Sequence, residues 1–187
     1  MTSAPTPGDG SEERSRGTDP SLRISIASDH RGVRTKRRLV QSLEQNGYSV
    51  SDHGTHTDDS CDYPDYACSV ASDVSNGRAD RGILICGSGI GMSIVANKFV
   101  GVRAASCYDE VLVEISRQHN DVNVLCLPGD LIGSRPVDAI VLKWLTTSFE
   151  GGRHGVRIDK IARLEADGLA TRDGSSERSD NEPSETI

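Results

Sequence analysis

A cysteine followed at once by alternating glycines is the part of this chain best suited to chemistry. In Cys86-Gly87-Ser88-Gly89-Ile90-Gly91 the glycines at every second position let the backbone turn its amides inward and keep side chains out of a ligand's way. A helix beginning near Ile90 would add unpaired N–H groups and its positive dipole end to the same spot. Cys86 stands at the rim of this cup, where a thiol is a candidate base or nucleophile beside a held anion. The pattern is not G-x-G-x-x-G, it follows the third expected strand rather than the first, and no Lys-Ser/Thr pair comes after it. Those features argue against a dinucleotide or nucleoside triphosphate site. A cysteine phosphatase would need an arginine closing the loop, but Met92 and Ser93 stand there.

Other reactive residue types occur in pairs. Asp29-His30 follows the first expected strand, where the acid either caps the next helix or shares proton handling on a hydroxylated ligand with the imidazole. His119-Asn120-Asp121 ends a helix, where a histidine also serves simply as a favourable cation. Arg153 and Arg157 share one face if their helix has begun, and two guanidiniums so placed suit a phosphate. His53, His56 and His154 lie in polar loops and are expected in solvent. Cys61, Cys68, Cys107 and Cys126 lack the context of Cys86 and are expected to pack.

The elements that must position these groups alternate in type. Strands are expected at Leu22–Ser28, Tyr48–Ser51, Gly82–Cys86, Gly101–Ala105 and Val122–Leu127. Helices are expected over Val33–Asn46, Tyr63–Ser75, from Ile90, over Asp109–Gln118, from a Ser134-Arg135-Pro136 cap through Thr147, and over Val156–Glu165. Strands alternating with helices predict an α/β fold: a three-layer Rossmann-like domain with a five-stranded parallel sheet and helices on both faces. Ligands in such folds bind outside the carboxyl ends of the strands, where Asp29-His30 and the Cys86 loop fall.

Composition narrows the class. The 187 residues carry a net charge of -7 with 35% hydrophobic content, so bulk charge offers no nucleic-acid footprint. The basic run Arg34–Arg38 reads as a solvated helix face. No window suits a membrane span, and the N-terminus lacks the pattern of a signal peptide. Five cysteines without a C-x-x-C pair indicate reduced thiols in the cytoplasm, with neither a zinc site nor a disulfide framework. Residues 1–21 and 168–187 are polar and expected as disordered tails around a single domain, 22–167.

Six short stretches in order then match one known pattern: Ser28-Asp29-His30, Asp62-Tyr63-Pro64, Ile85 through Gly91, Ala96-Asn97-Lys98, Arg117-Gln118-His119-Asn120-Asp121 and Glu150-Gly151-Gly152-Arg153-His154. The chain closely resembles the B-type ribose-5-phosphate isomerases, whose wider family includes allose-6-phosphate isomerase and the galactose-6-phosphate isomerase subunits. The resemblance implies an isomerase without metal or other cofactor that interconverts ribose 5-phosphate and ribulose 5-phosphate through an enediolate. By resemblance, Cys86 is the base, His119 opens the furanose ring with help from Asp29, and the segment Gly87, Ser88, Gly89, Ile90, Gly91 holds the enediolate oxygens. Ser88 keeps the hydroxyl that many relatives carry on threonine. His30, Arg153 and Arg157 resemble the phosphate grip, and Asn120 a contact to a sugar hydroxyl. The resemblance also implies a homodimer or a dimer of dimers with shared sites, His119 serving the Cys86 of another subunit.

One position departs from that pattern: Asp130 stands where many relatives carry an arginine near the phosphate, a sign reversal that weakens the binding of a dianion unless Asp130 points away or Arg135 substitutes. Two alternatives accompany the pentose reading. One is an isomerase of a six-carbon sugar phosphate, and the other a sugar-phosphate-binding module without turnover.

Overall fold

The structure, a computed structural model, describes residues 21–130 and 137–176. Five parallel strands, β1 (Arg23–Ser28), β2 (Ser49–Asp52), β3 (Arg81–Cys86), β4 (Ala104–Ser106) and β5 (Val124–Pro128), form one sheet in the order β2-β1-β3-β5-β4. Between and after them run α1 (Val33–Gln45), α2 (Tyr63–Ser75), α3 (Ile90–Ala96), α4 (Glu110–Asn120), α5 (Val137–Thr146) and α6 (Arg153–Ser176). The expected three-layer α/β architecture is present. The central strands are apolar on both sides because both faces are covered. Ile24, Ile26, Ile83, Ile85, Leu125 and Leu127 pack with α1, α4 and α5, and Leu84, Val124 and Cys126 pack with α2 and α3.

Several boundaries differ from expectation. Strand β4 is Ala104–Ser106 rather than Gly101–Ala105, because Gly101 takes a left-handed φ of 74° and forms a turn. The open edge of β4 is closed by a side chain: Asn97 donates Nδ2–H to the Ala104 carbonyl and accepts from its N–H, both at 2.9 Å. That contact blunts an edge strand. Helix α6 begins at Arg153 and continues to Ser176, past the expected end at Glu165, so residues 168–176 of the expected tail are helical. Its polar sequence has no apolar stripe to announce its length. Residues 1–20 and 177–187 of the expected tails, and the Ser134–Pro136 cap, lie outside the described residues.

The basic face of α1 is not wholly solvated. Lys36 is only 2% exposed and donates to Asp52 Oδ1 at 2.6 Å, tying α1 to the end of β2. His53 is exposed, as expected, and also lies 2.6 Å by its Nε2 from Asp73 Oδ2, while the same carboxylate accepts from Ser25 Oγ and Arg78 Nε. Burial pushes the Asp73 carboxyl up, but the hydrogen bonds from Arg78, Ser25 and His53 outweigh it and leave it lowered. A lowered carboxylate stabilises the fold above its unfolded pKa, and that contribution is lost as pH falls through the folded value. Asp73→Asn should therefore cost about 2–3 kcal/mol at neutral pH, with the gap to the parent chain closing below about pH 4. Urea unfolding at a series of pH values measures it.

Candidate active site

Strand order reverses between β1 and β3: the chain leaves β1 toward β2 and leaves β3 toward β4 and β5. The crevice outside the carboxyl ends of these two strands is where an open parallel sheet receives ligands. Asp29 N–H donates to the Ile85 carbonyl at 3.1 Å, and Gly129 N–H donates to the Cys86 carbonyl at 2.7 Å. Three strand ends are thereby drawn into one floor.

Cys86, the last residue of β3, is 5% exposed, and its Sγ accepts the N–H of Gly89 at 3.2 Å. Each glycine after it is required by a different neighbour. A Cβ on Gly87 would lie 2.9 Å from Asp130 Oδ2 and 3.1 Å from Arg31 Nε. Gly89 has a φ of 76°, and a Cβ there would meet Ser106 Oγ at 2.8 Å. A Cβ on Gly91 would enter the Tyr63 ring at 2.6 Å. These glycines make room for the protein's own walls. Ser88 is half-buried, and its Oγ accepts the Ile90 N–H at 3.3 Å, so its hydroxyl shapes the turn into α3.

Asp29 does not cap α1. Gly32 holds the N-cap position, where a Cβ would clash with Ile85 and Ser28, and Asp29 Oδ1 instead accepts from Arg31 N–H at 2.9 Å. The carboxyl group, on a residue 5% exposed, stays at the edge of the crevice. His30 is half-buried, and the backbone N–H of Cys61 donates to its Nδ1 at 3.3 Å. Cys61, expected only to pack, is therefore part of the wall behind His30. Asp130 does not point away: it forms an ion pair with Arg31 across Gly87. Arg135, the other candidate for that position, lies outside the described residues.

The remaining candidates lie elsewhere. Helix α4 ends at Asn120, just before the start of β5, whereas Pro128 at the other end of β5 is in register with Cys86. About 13 Å of strand therefore separates His119 and Asn120 from the cup. The end of α4 is locked. Asp121 takes a left-handed φ of 46°, and its two carboxylate oxygens lie 2.7 Å from buried Arg117 and 2.6 Å from Arg103. Arg117 also donates to the Val122 carbonyl at 2.7 Å.

His154, expected in solvent, is buried and stacks on His119 with ring centroids 4.2 Å apart and planes within 4°. Burial, then the neighbouring His119 and Arg153, push its pKa down, which favours a neutral ring. Helix α6 has begun at Arg153, so Arg153 and Arg157 do share a face. Among the described residues, His119, Glu150 and His154 form a group whose ligand-type atoms lie within 4.8 Å of one another. Parallel stacked rings aim their nitrogen lone pairs side by side rather than at one point, so the group fits an aromatic pair better than a chelate. Within one chain, then, the structure joins Asp29, His30 and Cys86–Gly91. It sets His119, Asn120, Arg153 and Arg157 at the opposite edge.

The other thiols sort clearly. Cys107 and Cys126 are buried and pushed up in pKa by that burial, as packing thiols should be, whereas Cys68, expected to pack, is instead exposed. No described helix is long and apolar enough to cross a membrane.

A cysteine at the switch point of a parallel sheet, with a glycine loop and an Asp-His pair around it, forms a crevice whose groups are chemically suited to a small oxygenated ligand. Comparison with known proteins specifies the class. The profile of the Ribose/Galactose Isomerase family matches residues 24–161. Ribose-5-phosphate isomerase B of Escherichia coli (strain K12) is 43% identical over 143 residues, covering 76% of this chain and 96% of that protein. The ribose-5-phosphate isomerase B structure from Clostridium thermocellum aligns with a TM-score of 0.76 at 45% identity, over 78% of this chain and 99% of that one. The Mycoplasma genitalium enzyme, solved with bound ribulose-5-phosphate, aligns at 0.75 with 43% identity, over 78% and 97% of the two chains. The chain is a sugar-phosphate isomerase. It belongs to the ribose/galactose isomerase family, among the B-type ribose-5-phosphate isomerases.

Proposed function

We propose that this enzyme interconverts D-ribose 5-phosphate and D-ribulose 5-phosphate with Cys86 as the base. The observation that carries the reading is Cys86 Sγ at the floor of the crevice, held by the Gly89 N–H, which stabilises the sulfur best when it is anionic. From the open-chain aldose, the thiolate takes the C2 proton. The C2–H electron pair forms the C1=C2 bond, and negative charge moves to O1. Loop amides facing that oxygen act where the charge develops. The proton returns to C1 as another moves from O2 to O1, giving the ketose.

Ring opening requires a proton delivered to the ring oxygen as the C1–O bond breaks and one removed from the C1 hydroxyl. His119 fits that role with Asp29 assisting, Asn120 holds a hydroxyl, and His30, Arg153 and Arg157 hold the phosphate. Because His119 and Cys86 stand at opposite sheet edges of one chain, the complete site requires His119 of a second copy. The apolar surface supports such pairing: Ile90 and Ile94 on α3, Val111 and Ile115 on α4, and Val156 and Leu164 on α6 are exposed. Five unpaired cysteines suit a reducing, cytoplasmic setting.

Turnover of ribose 5-phosphate and of allose 6-phosphate by the purified chain, with EDTA present, tests the reading. Conversion of the pentose with far higher kcat/KM is expected. Preference for the hexose would move the assignment within the family, and binding of either without conversion would leave only a sugar-phosphate-binding module.

A further inference from the structure

An anion-binding cup with a carboxylate on its wall needs an explanation. Asp130 is held there from two sides. Its backbone N–H donates to the Gly87 carbonyl at 3.3 Å, and its Oδ2 sits 2.9 Å from where a Gly87 Cβ would be. Unneutralised, that charge would oppose any phosphate ester entering the crevice. Arg31 answers it. This guanidinium lies against the same glycine, 3.1 Å from that Cβ position by its Nε, and is paired with Asp130 Oδ2 through Nη2. Its side chain is nevertheless 56% exposed. A guanidinium has five N–H donors in a planar fork, and one carboxylate leaves several of them directed outward. Arg31 directly follows His30, so both side chains rise from the β1–α1 turn.

We propose that Asp130 is a built-in competitor for the ligand's phosphoryl group, occupying Arg31 in the empty enzyme and yielding it when a phosphate ester binds. Arg31 is then a specificity-determining residue that contacts the anionic end of the substrate, and Asp130 sets how tightly that end is held. The inference rests on the sugar-phosphate reading of this crevice. It commits to effects of opposite sign, because removing the competitor strengthens binding while removing the cation weakens it. If the pair were only structural, both changes would loosen the wall and weaken binding together.

The test uses the full chain, with inorganic phosphate titrated calorimetrically and KM for ribose 5-phosphate measured alongside. Asp130→Asn keeps the size of the side chain, and Arg31→Gln keeps much of its length. Expected are phosphate binding about threefold to fivefold tighter in Asp130→Asn and about tenfold or more weaker in Arg31→Gln, with KM moving in the same directions. Unchanged or weaker phosphate binding in Asp130→Asn overturns the proposal, as does unchanged binding in Arg31→Gln. So does the absence of measurable phosphate binding in both the parent chain and Asp130→Asn. Melting temperatures of the two variants identify any loss due to unfolding. Should Arg31→Gln unfold, the sign of the Asp130→Asn effect alone decides. Phosphate binding with the expected signs in a chain that fails to isomerise ribose 5-phosphate would sink the catalytic assignment and leave this one standing.

Discussion

Cys86→Ala should lower kcat for ribose 5-phosphate by about three to four orders of magnitude while leaving KM within a few-fold of the parent value. The thiol is asked to act on a C–H bond during the reaction and to contribute little to holding the ground state, so its removal should fall on turnover. Cys86→Ser is the sharper control. A hydroxyl in the same place can accept the Gly89 N–H that Sγ accepts at 3.2 Å, so the loop is preserved. A serine hydroxyl is nonetheless too weak an acid to supply the anionic base, and it should be nearly as inactive as alanine. Steady-state kinetics together with sugar-phosphate binding to the inactive variants separate the two contributions. A rate in Cys86→Ser close to that of the parent would remove the sulfur from the proton transfer.

Mixing two inactive proteins should restore activity. With His119 and Cys86 at opposite edges of the sheet, a site built between two copies takes its base from one and its ring-opening acid from the other. A dimer of Cys86→Ala with His119→Ala contains one doubly damaged site and one intact site. Random reassociation of equal amounts should therefore recover about a quarter of parent activity on ribose 5-phosphate, from background in either variant alone. Supplying open-chain substrate would bypass the His119 defect but not the Cys86 one, which identifies which step each residue serves. Failure of the mixed sample to exceed its components, after subunit exchange is verified, would place both groups in one chain's site and require His119 to move.

The fold was legible because buried parallel strands announce themselves. G-I-L-I-C and V-L-C-L are apolar runs bounded by polar turns, and Gly47, Gly77, Gly151 and Gly152 take positive φ where the chain breaks between elements. The cup was legible for the same reason, its cysteine closing such a run. Partnerships set by tertiary contact were hidden. Lys36 looked like one more basic residue on a solvated face until Asp52 appeared beside it, and His154 looked exposed because its ring-stacking partner lies on a different helix. Arg31 gave no signal at all, since its meaning depends on Asp130, far along the chain. Whether Asp29 caps α1 was not legible, because it has the right chemistry for a cap, but the chain turns once more, through Gly32, before the helix starts.

The glycine loop has a consequence for how this enzyme could diversify. Tyr63, the Arg31–Asp130 pair and Ser106 each fill the space that a side chain on Gly91, Gly87 or Gly89 would need. The loop thus behaves as a mould with no adjustable parts, and adding even a methyl group displaces a neighbour before it reaches a ligand. Heritable changes in substrate preference have to be written on the surrounding walls, at positions such as 31, 63 and 130, where one substitution reshapes the crevice and leaves the backbone that carries Cys86 in place.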